Sequence, residues 1–305
     1  MSDLFSFNGV SEISKPVTKL IETISSAVGV IYEPTRIRKK AKAEADGAII
    51  IAKANAKVLN IESRAKLRVE SLERSRQENI EAVVKIAHDQ LPEEVSNQKV
   101  DPDWTVRFFQ HCQDVSNDEM QLIWGKILAG EVEKPKTFSL RTLDLVKNLD
   151  KEEAQLFSRV GQLGIIKNNS GFIFYQGGYK TLEEKYHVLF SEILKLQELN
   201  LLSTNDNIVF QLIQMEINTR EIFFYGKKCI ILERNANSPT LSFPILGFST
   251  IGSELLKMID INNNDLYMES FCKILLSEGT KVKTADYIPA VEGSIEISNV
   301  KEINP

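Results

Sequence analysis

Apolar positions recur with helical spacing over the first 160 residues and with strand-like spacing afterwards. From Ile13 to Tyr32, Val17, Leu20, Ile21, Ile24, Val28 and Ile31 fall at steps of three and four, while Lys15, Thr18, Lys19, Glu22 and Ser25 take the other faces. This predicts an amphipathic leader helix, with Ser14 as cap, Pro16 in the first turn and Gly29 and Pro34 at its end. Its apolar side suits the protein's own core, a membrane surface or a partner.

No proline occurs between Pro34 and Pro92, so one helix of roughly 85 Å fits there. Ile37, Ala41, Ala45, Ala48, Ala52, Ala56 and Leu59 form a stripe with an eleven-residue repeat, which predicts nearly straight packing of helices along a small-residue seam. A second stripe, Ile61, Ala65, Val69, Leu72, Ile80, Val83 and Ala87, continues the rhythm with a shifted phase and is interrupted at Arg76. A helix this long needs a packed face, so it either folds back or assembles. Glu62 with Lys66, Glu70 with Arg74 and Glu81 with Lys85 add i, i+4 pairs, and Gly47 is the expected kink.

Beyond the connector between Pro92 and Pro102, Trp104, Phe108, Cys112 and Val115 make a stripe. Ser116 with Glu119 reads as a capping box for a helix carrying Met120, Ile123, Trp124, Ile127 and Leu128, with Gly130 as its stop. Asp150 with Glu153 repeats the cap signature before Leu156, Phe157 and Val160. Trp104, Phe108, Ile123, Trp124 and Leu128 are therefore expected in a structural core.

After Gly161 the texture changes. Phe172 to Tyr175, Ile208 to Ile213, Ile222 to Tyr225 and Cys229 to Glu233 read as strands separated by turn residues. Helices are expected over Tyr186 to Asn200, Thr250 to Ile259 and Leu266 to Leu276, with an extended tail from Lys281. The fold expected is mainly α with a smaller α+β part: a leader helix (1–34), a long coiled-coil-like helix (35–91), a helical unit (103–160) and a winged-helix-like module (161–305).

Composition, at 43% hydrophobic and 26% charged residues, is that of a folded chain with at least one full core. No run approaches the roughly 18 apolar residues of a membrane span. No secretory signal is expected from the first residues, and three widely spaced cysteines suit buried thiols in a reducing compartment. A cytoplasmic protein is expected, peripheral at the inner membrane face if the leader meets lipid. The net charge of −5 hides a division: residues 35–86 carry a balance of +6 and the remainder −11. The basic cluster Arg36, Arg38, Lys39, Lys40 and Lys42 suits an anionic membrane surface, another polyanion or the acidic part of a neighbouring copy.

Catalytic chemistry has no visible motif. His88, His111 and His187 lie on separate segments, metal-ligand spacing is missing, and no phosphate loop or nucleophile elbow occurs. The expectation is no enzyme, no cofactor and no metal. Nucleic-acid binding through the 186–200 helix is the second reading, against which stand Glu183, Glu184, Glu192 and Glu198 beside only Lys185 and Lys195.

Residues Gly29 to Arg38 running into the alanine-rich helix, Ser116 to Gly130 with Trp124 and the Leu128-Ala129-Gly130 ending, and Leu143 to Phe157 resemble the uncharacterised bacterial family catalogued as domain of unknown function 2806. The chain is more distantly similar to the abortive-infection alpha proteins. The likeness spans roughly residues 10 to 260 and brings no catalytic residues. It implies a bacterial or phage-borne chain with a part in phage defence. Together these features predict a homo-oligomeric interaction protein that binds a membrane surface or a protein partner.

Overall fold

The computed structural model describes residues 14–28, 61–205, 207–289 and 295–303. The chain divides into two compact units, Met1–Lys147 and Asn148–Pro305.

The first unit is helical: α1 (Lys15–Val28), α2 (Ile61–Asp89), α3 (Pro102–Cys112), α4 (Asp118–Glu133) and α5 (Leu140–Val146). Local chemistry starts α3 and α4 where the backbone leaves its first N–H groups without partners. Asp101 accepts from the backbone N–H of Asp103 and Trp104, with Pro102 in the first turn of α3. Asn117 accepts from those of Glu119 and Met120 at α4. The cap is thus one residue later than the expected Ser116. Nor does Gly130 end α4, which runs on to Glu133. The glycine instead makes room for a ring, since a Cβ there would stand 2.9 Å from Cε2 of Phe138.

Trp104 stacks on Phe108 at 5.2 Å, and Phe108 meets the edge of Trp124 at 5.3 Å. Such aromatic pairs add about 0.5–1.5 kcal/mol each beyond burial. Trp104, Phe108, Trp124 and Leu128 are buried, whereas Ile123 is only half-buried. The Trp104 indole N–H donates to the carbonyl of Phe138 at 2.8 Å. Glu131, almost fully buried, accepts from the backbone N–H of Lys136 and Phe138 and so shapes the turn into α5. The second half of α2 crosses α4 at close range: a Cβ on Gly125 would lie 2.7 Å from Cβ of Ile86 and 3.3 Å from N of Ala87.

The second unit opens with α6 (Lys151–Val160), started by the expected Asp150–Glu153 capping box with both halves formed. One 3-10 turn leads into β1 (Gly164–Lys167) and β2 (Ser170–Phe174). Then come α7 (Tyr179–Tyr186), α8 (Phe190–Glu198), β3 (Ile208–Leu212), β4 (Thr219–Tyr225), β5 (Lys228–Arg234), β6 (Leu241–Gly247), α9 (Thr250–Leu256), α10 (Asp265–Leu275), β7 (Thr280–Pro289) and β8 (Ile295–Ile303). The strands form one antiparallel sheet in the order β3-β6-β2-β1-β4-β5-β7-β8.

On one face Phe271 of α10 sits among Phe172, Phe174, Phe223 and Phe243, all with ring centroids within 6.0 Å. Tyr267, fully buried on the same helix, has both roles of its hydroxyl satisfied: it donates to the carbonyl of Leu163 at 2.9 Å and accepts from N–H of Phe174 at 2.8 Å. On the opposite face, α9 lies over β1 and β2, where Leu256 occupies the space beside Gly164 and Gly171 and the Ser253 hydroxyl accepts from N–H of Gly171 at 3.0 Å.

This architecture overturns the mainly α fold with a winged-helix-like end. The protein is α+β, and its second unit is built on an eight-stranded antiparallel sheet. The tail from Lys281 is β7 and β8, the sheet's outer pair on one side, and Gly164–Lys167 is a further strand. Strands near a sheet edge keep one face and one margin wet, so their charged residues mask the apolar alternation. The expected single helix from Tyr186 to Asn200 is broken as well. His187, in left-handed backbone at φ 54°, terminates α7, and α8 starts afresh at Phe190. The stretch Phe190–Glu198 remains helical as α8.

Candidate self-association surface

α2 is a single helix of 29 residues in the described region, roughly 43 Å long. Its two halves have different surroundings. Ile80, Val83, Val84 and Ala87 are buried in the first unit. From Ile61 to Glu73 no residue is buried. Ile61, Val69 and Leu72 are 76%, 52% and 45% exposed, and Ala65 between them is exposed too. On a helix, positions 61, 65, 69 and 72 lie on one side, so this half presents an apolar strip to its surroundings.

The boundary between the halves is polar. Arg76 bonds through Nε and Nη2 to the two carboxylate oxygens of Asp114, at 2.7 and 3.3 Å, and through Nη1 to Glu73 at 2.9 Å. One turn on, the Asn79 side-chain amide donates to the carbonyl of Gln113 at 2.8 Å. Gln121 donates to the Asn79 side-chain oxygen at 3.3 Å and to the carbonyl of Val115 at 2.8 Å. These bonds hold α2 to the turn between α3 and α4, and Asp114 keeps the Arg76 guanidinium more strongly protonated than usual. The interruption of the second stripe at Arg76 thus coincides with the place where α2 leaves its own core. A bidentate guanidinium–carboxylate pair fixes orientation as well as position.

The expected seam Ile37, Ala41, Ala45, Ala48, Ala52, Ala56 and Leu59, and the basic cluster Arg36, Arg38, Lys39, Lys40 and Lys42, lie outside the described residues. The strip at Ile61, Ala65, Val69 and Leu72 was legible as periodicity, yet nothing in the pattern separated it from Ile80, Val83 and Ala87. Only Arg76 marked the division.

The apolar side of α1 is already used. Pro16, Leu20, Thr23 and Ile24 are buried where α1 packs on α3 and α4. Lys19, on the same side, donates to the carbonyls of Ser96 at 2.9 Å and Val132 at 2.5 Å. Burial, then the neighbouring Lys15, lower its pKa, and Glu131 partly offsets them. Anchored in this way, α1 has its greasy face turned to protein.

The remaining candidates for chemistry stand apart. His88 lies beside Asp89 at 3.1 Å and His111 beside Asp144 at 3.1 Å, while His187 ends α7. Among the described residues no group of three or more His, Cys, Asp or Glu side chains is placed to hold a metal ion, and no helix is long and apolar enough to cross a membrane. Cys112, Cys229 and Cys272 are free and buried. Burial raises the pKa of all three thiols, that of Cys272 to about 12.

No curated protein matches the chain, and no solved structure matches its fold. A family model does match, over residues 63–272, which takes in α2 from its third residue on, with Ala65, Val69, Leu72 and Arg76, then α3 to α9, strands β1 to β6 and most of α10. The chain belongs to the family described as protein of unknown function (DUF2806).

Proposed function

We propose that the chain is a non-enzymatic interaction protein that associates with copies of itself through the projecting half of α2. One observation carries the reading: Ile61, Ala65, Val69 and Leu72 form an exposed apolar strip on a helix whose other half is firmly packed. The strip follows the small-residue stripe of residues 37–59 in the sequence, with a shifted phase. Solvent-exposed large apolar residues at helical spacing are what a partner helix covers in a coiled coil. A second copy supplies the same strip, so the interface is self-complementary under two-fold symmetry.

The basic cluster at residues 36–42 gives the assembly a second contact, with an acidic protein partner in preference to lipid. The coverage of the apolar side of α1 by α3 and α4 supports that preference, because surface insertion needs a greasy helix face as well as positive charge. The distant likeness to abortive-infection proteins supports a role in phage defence, read as a plaque count in a bacterial host with and without the gene. Fewer plaques with the intact gene are expected; an unchanged count removes this role.

Sedimentation equilibrium of the full chain tests the self-association. The expected mass is a multiple of the 34.5 kDa chain, lowered but not required to reach a single chain when Val69→Glu and Leu72→Glu are combined. A wild-type chain that remains monomeric overturns the reading.

A further inference from the structure

The two margins of the eight-stranded sheet are unlike. β8, at one end of the strand order, carries Glu296, Lys301 and Glu302, a left-handed Asn299 at φ 51° and a register shift against β7. Charge and irregularity of this kind keep an edge strand from pairing with another chain. β3, at the other end, has none of these features. From Asn207 to Met215 the sequence contains no charged residue, no proline and no glycine. Its register with β6 is unbroken over Ile208–Leu212.

Alternate residues of an edge strand direct their backbone N–H and C=O groups outward. Among the described residues none bonds to the outer margin of β3. The chain beyond the strand is held in place: the buried guanidinium of Arg234 donates to the carbonyl of Ile213 at 2.9 Å, and the carbonyl of Met215 accepts from N–H of Asn237 at 2.8 Å. The segment is fixed in place while its apolar side chains stay in the open. Val209, Ile213, Met215 and Ile217 are all more than 40% exposed. On the core side of the sheet, Phe210 stacks with Phe243 at 5.3 Å and Phe172 at 5.5 Å, meets Phe223 of β4 edge-on at 6.0 Å, and remains half-buried.

We propose that β3 pairs antiparallel with β3 of a second copy, joining two eight-stranded sheets across a two-fold axis at Phe210. Such an axis brings identical segments together, so a self-pairing strand must carry no charge near its centre, where like charges would meet. β3 meets this condition and β8 does not. The pairing sets Phe210 against its copy, Ile208 against Leu212 of the second copy, and Val209 against Gln211 of the second copy. The stacked phenylalanine layer thereby becomes continuous and the outward backbone groups gain partners. This contact is separate from the α2 strip and lies in the other unit of the chain.

The test uses the full chain carrying Val69→Glu and Leu72→Glu, so that association through α2 does not contribute. In that background the native edge is expected to give a mass rising toward twice 34.5 kDa with concentration. Adding Val209→Glu and Gln211→Glu places two like-charge pairs across the axis and should weaken the dimer about tenfold or more. Adding Val209→Lys and Gln211→Glu instead places opposite charges in the same two pairs, and the dimer should persist. Far-ultraviolet circular dichroism verifies that each variant is folded. A chain that stays monomeric with the native edge overturns the proposal, as does a dimer indifferent to the two glutamates or equally weakened by both combinations.

Discussion

Arg76 of α2 and Asp114, just beyond α3, form a two-point pair, with Nε and Nη2 of the guanidinium 2.7 and 3.3 Å from the two carboxylate oxygens. The pair stands between the part of α2 where no residue is buried and the part that carries Ile80, Val83, Val84 and Ala87 in the core. Replacing Asp114→Asn removes the charge and one acceptor while keeping the shape. Amide hydrogen exchange over residues 73–80 should then quicken, while residues 83–87, buried against α4, keep their protection. Unchanged exchange throughout would show that Arg76 does not hold the helix there.

Gly125 sets the closest approach of α2 to α4. In an exposed helix, Gly→Ala would gain about 1 kcal/mol of helix propensity. Here the added methyl meets the Cβ of Ile86 at 2.7 Å and presses on the backbone of Ala87. Over-packing of this kind costs about 1–3 kcal/mol, so Gly125→Ala should lower the urea midpoint of the first unit. A raised midpoint would mean that α2 yields freely.

The buried thiols give a reactivity prediction. Deprotonation of Cys112 and Cys272 is disfavoured chiefly by burial, and Cys229 is shifted the same way. Thiolate, the reactive form, is therefore scarce at pH 8. Intact-mass measurement after alkylation at pH 8 should show no adduct on the folded chain and three after denaturation. One or more rapid adducts on the folded chain would contradict the buried placement.

Lys19 gives a pH dependence whose sign runs opposite to that of a salt-bridged lysine. Its folded pKa lies below the ordinary 10.5, mainly through burial, so above neutral pH the folded state releases this proton before the unfolded state does. Stability therefore rises with pH as the solution passes through the lowered pKa, and levels off near the unfolded value. Lys19→Met has no such titration. The thermal midpoint of the wild type relative to Lys19→Met should increase between pH 8 and pH 10, and a decrease would refute the assignment.

How much of this was legible in the sequence follows from where each signal originates. The Asp150–Glu153 capping box and the burial of Trp104, Phe108, Trp124 and Leu128 arise from local chemistry and helical periodicity, which a single sequence displays. The cap of α4 moved from Ser116 to Asn117 because both side chains are competent and only the backbone path selects one. The sheet was misread because its order is non-local. β6 pairs with β3 and β2, which precede it by many residues, and β7 with its charged alternation, Lys281, Lys283 and Asp286, resembles a loop until β5 and β8 flank it. The break at His187 depended on a left-handed residue that no glycine announced. As for the association surface, the stripe was visible, but which of its residues the protein covers by itself is a property of tertiary packing.

The most direct test of self-association through α2 exploits the inaccessibility of the native thiols. Ala65→Cys places a single reactive cysteine in the strip, and Glu70→Cys, in a separate chain, places one on the far side of the same helix. Oxidation followed by non-reducing electrophoresis should convert the Ala65→Cys chain to a covalent dimer well ahead of Glu70→Cys. Equal yields from the two positions, or none from Ala65→Cys at concentrations where the chain is folded, would contradict the account.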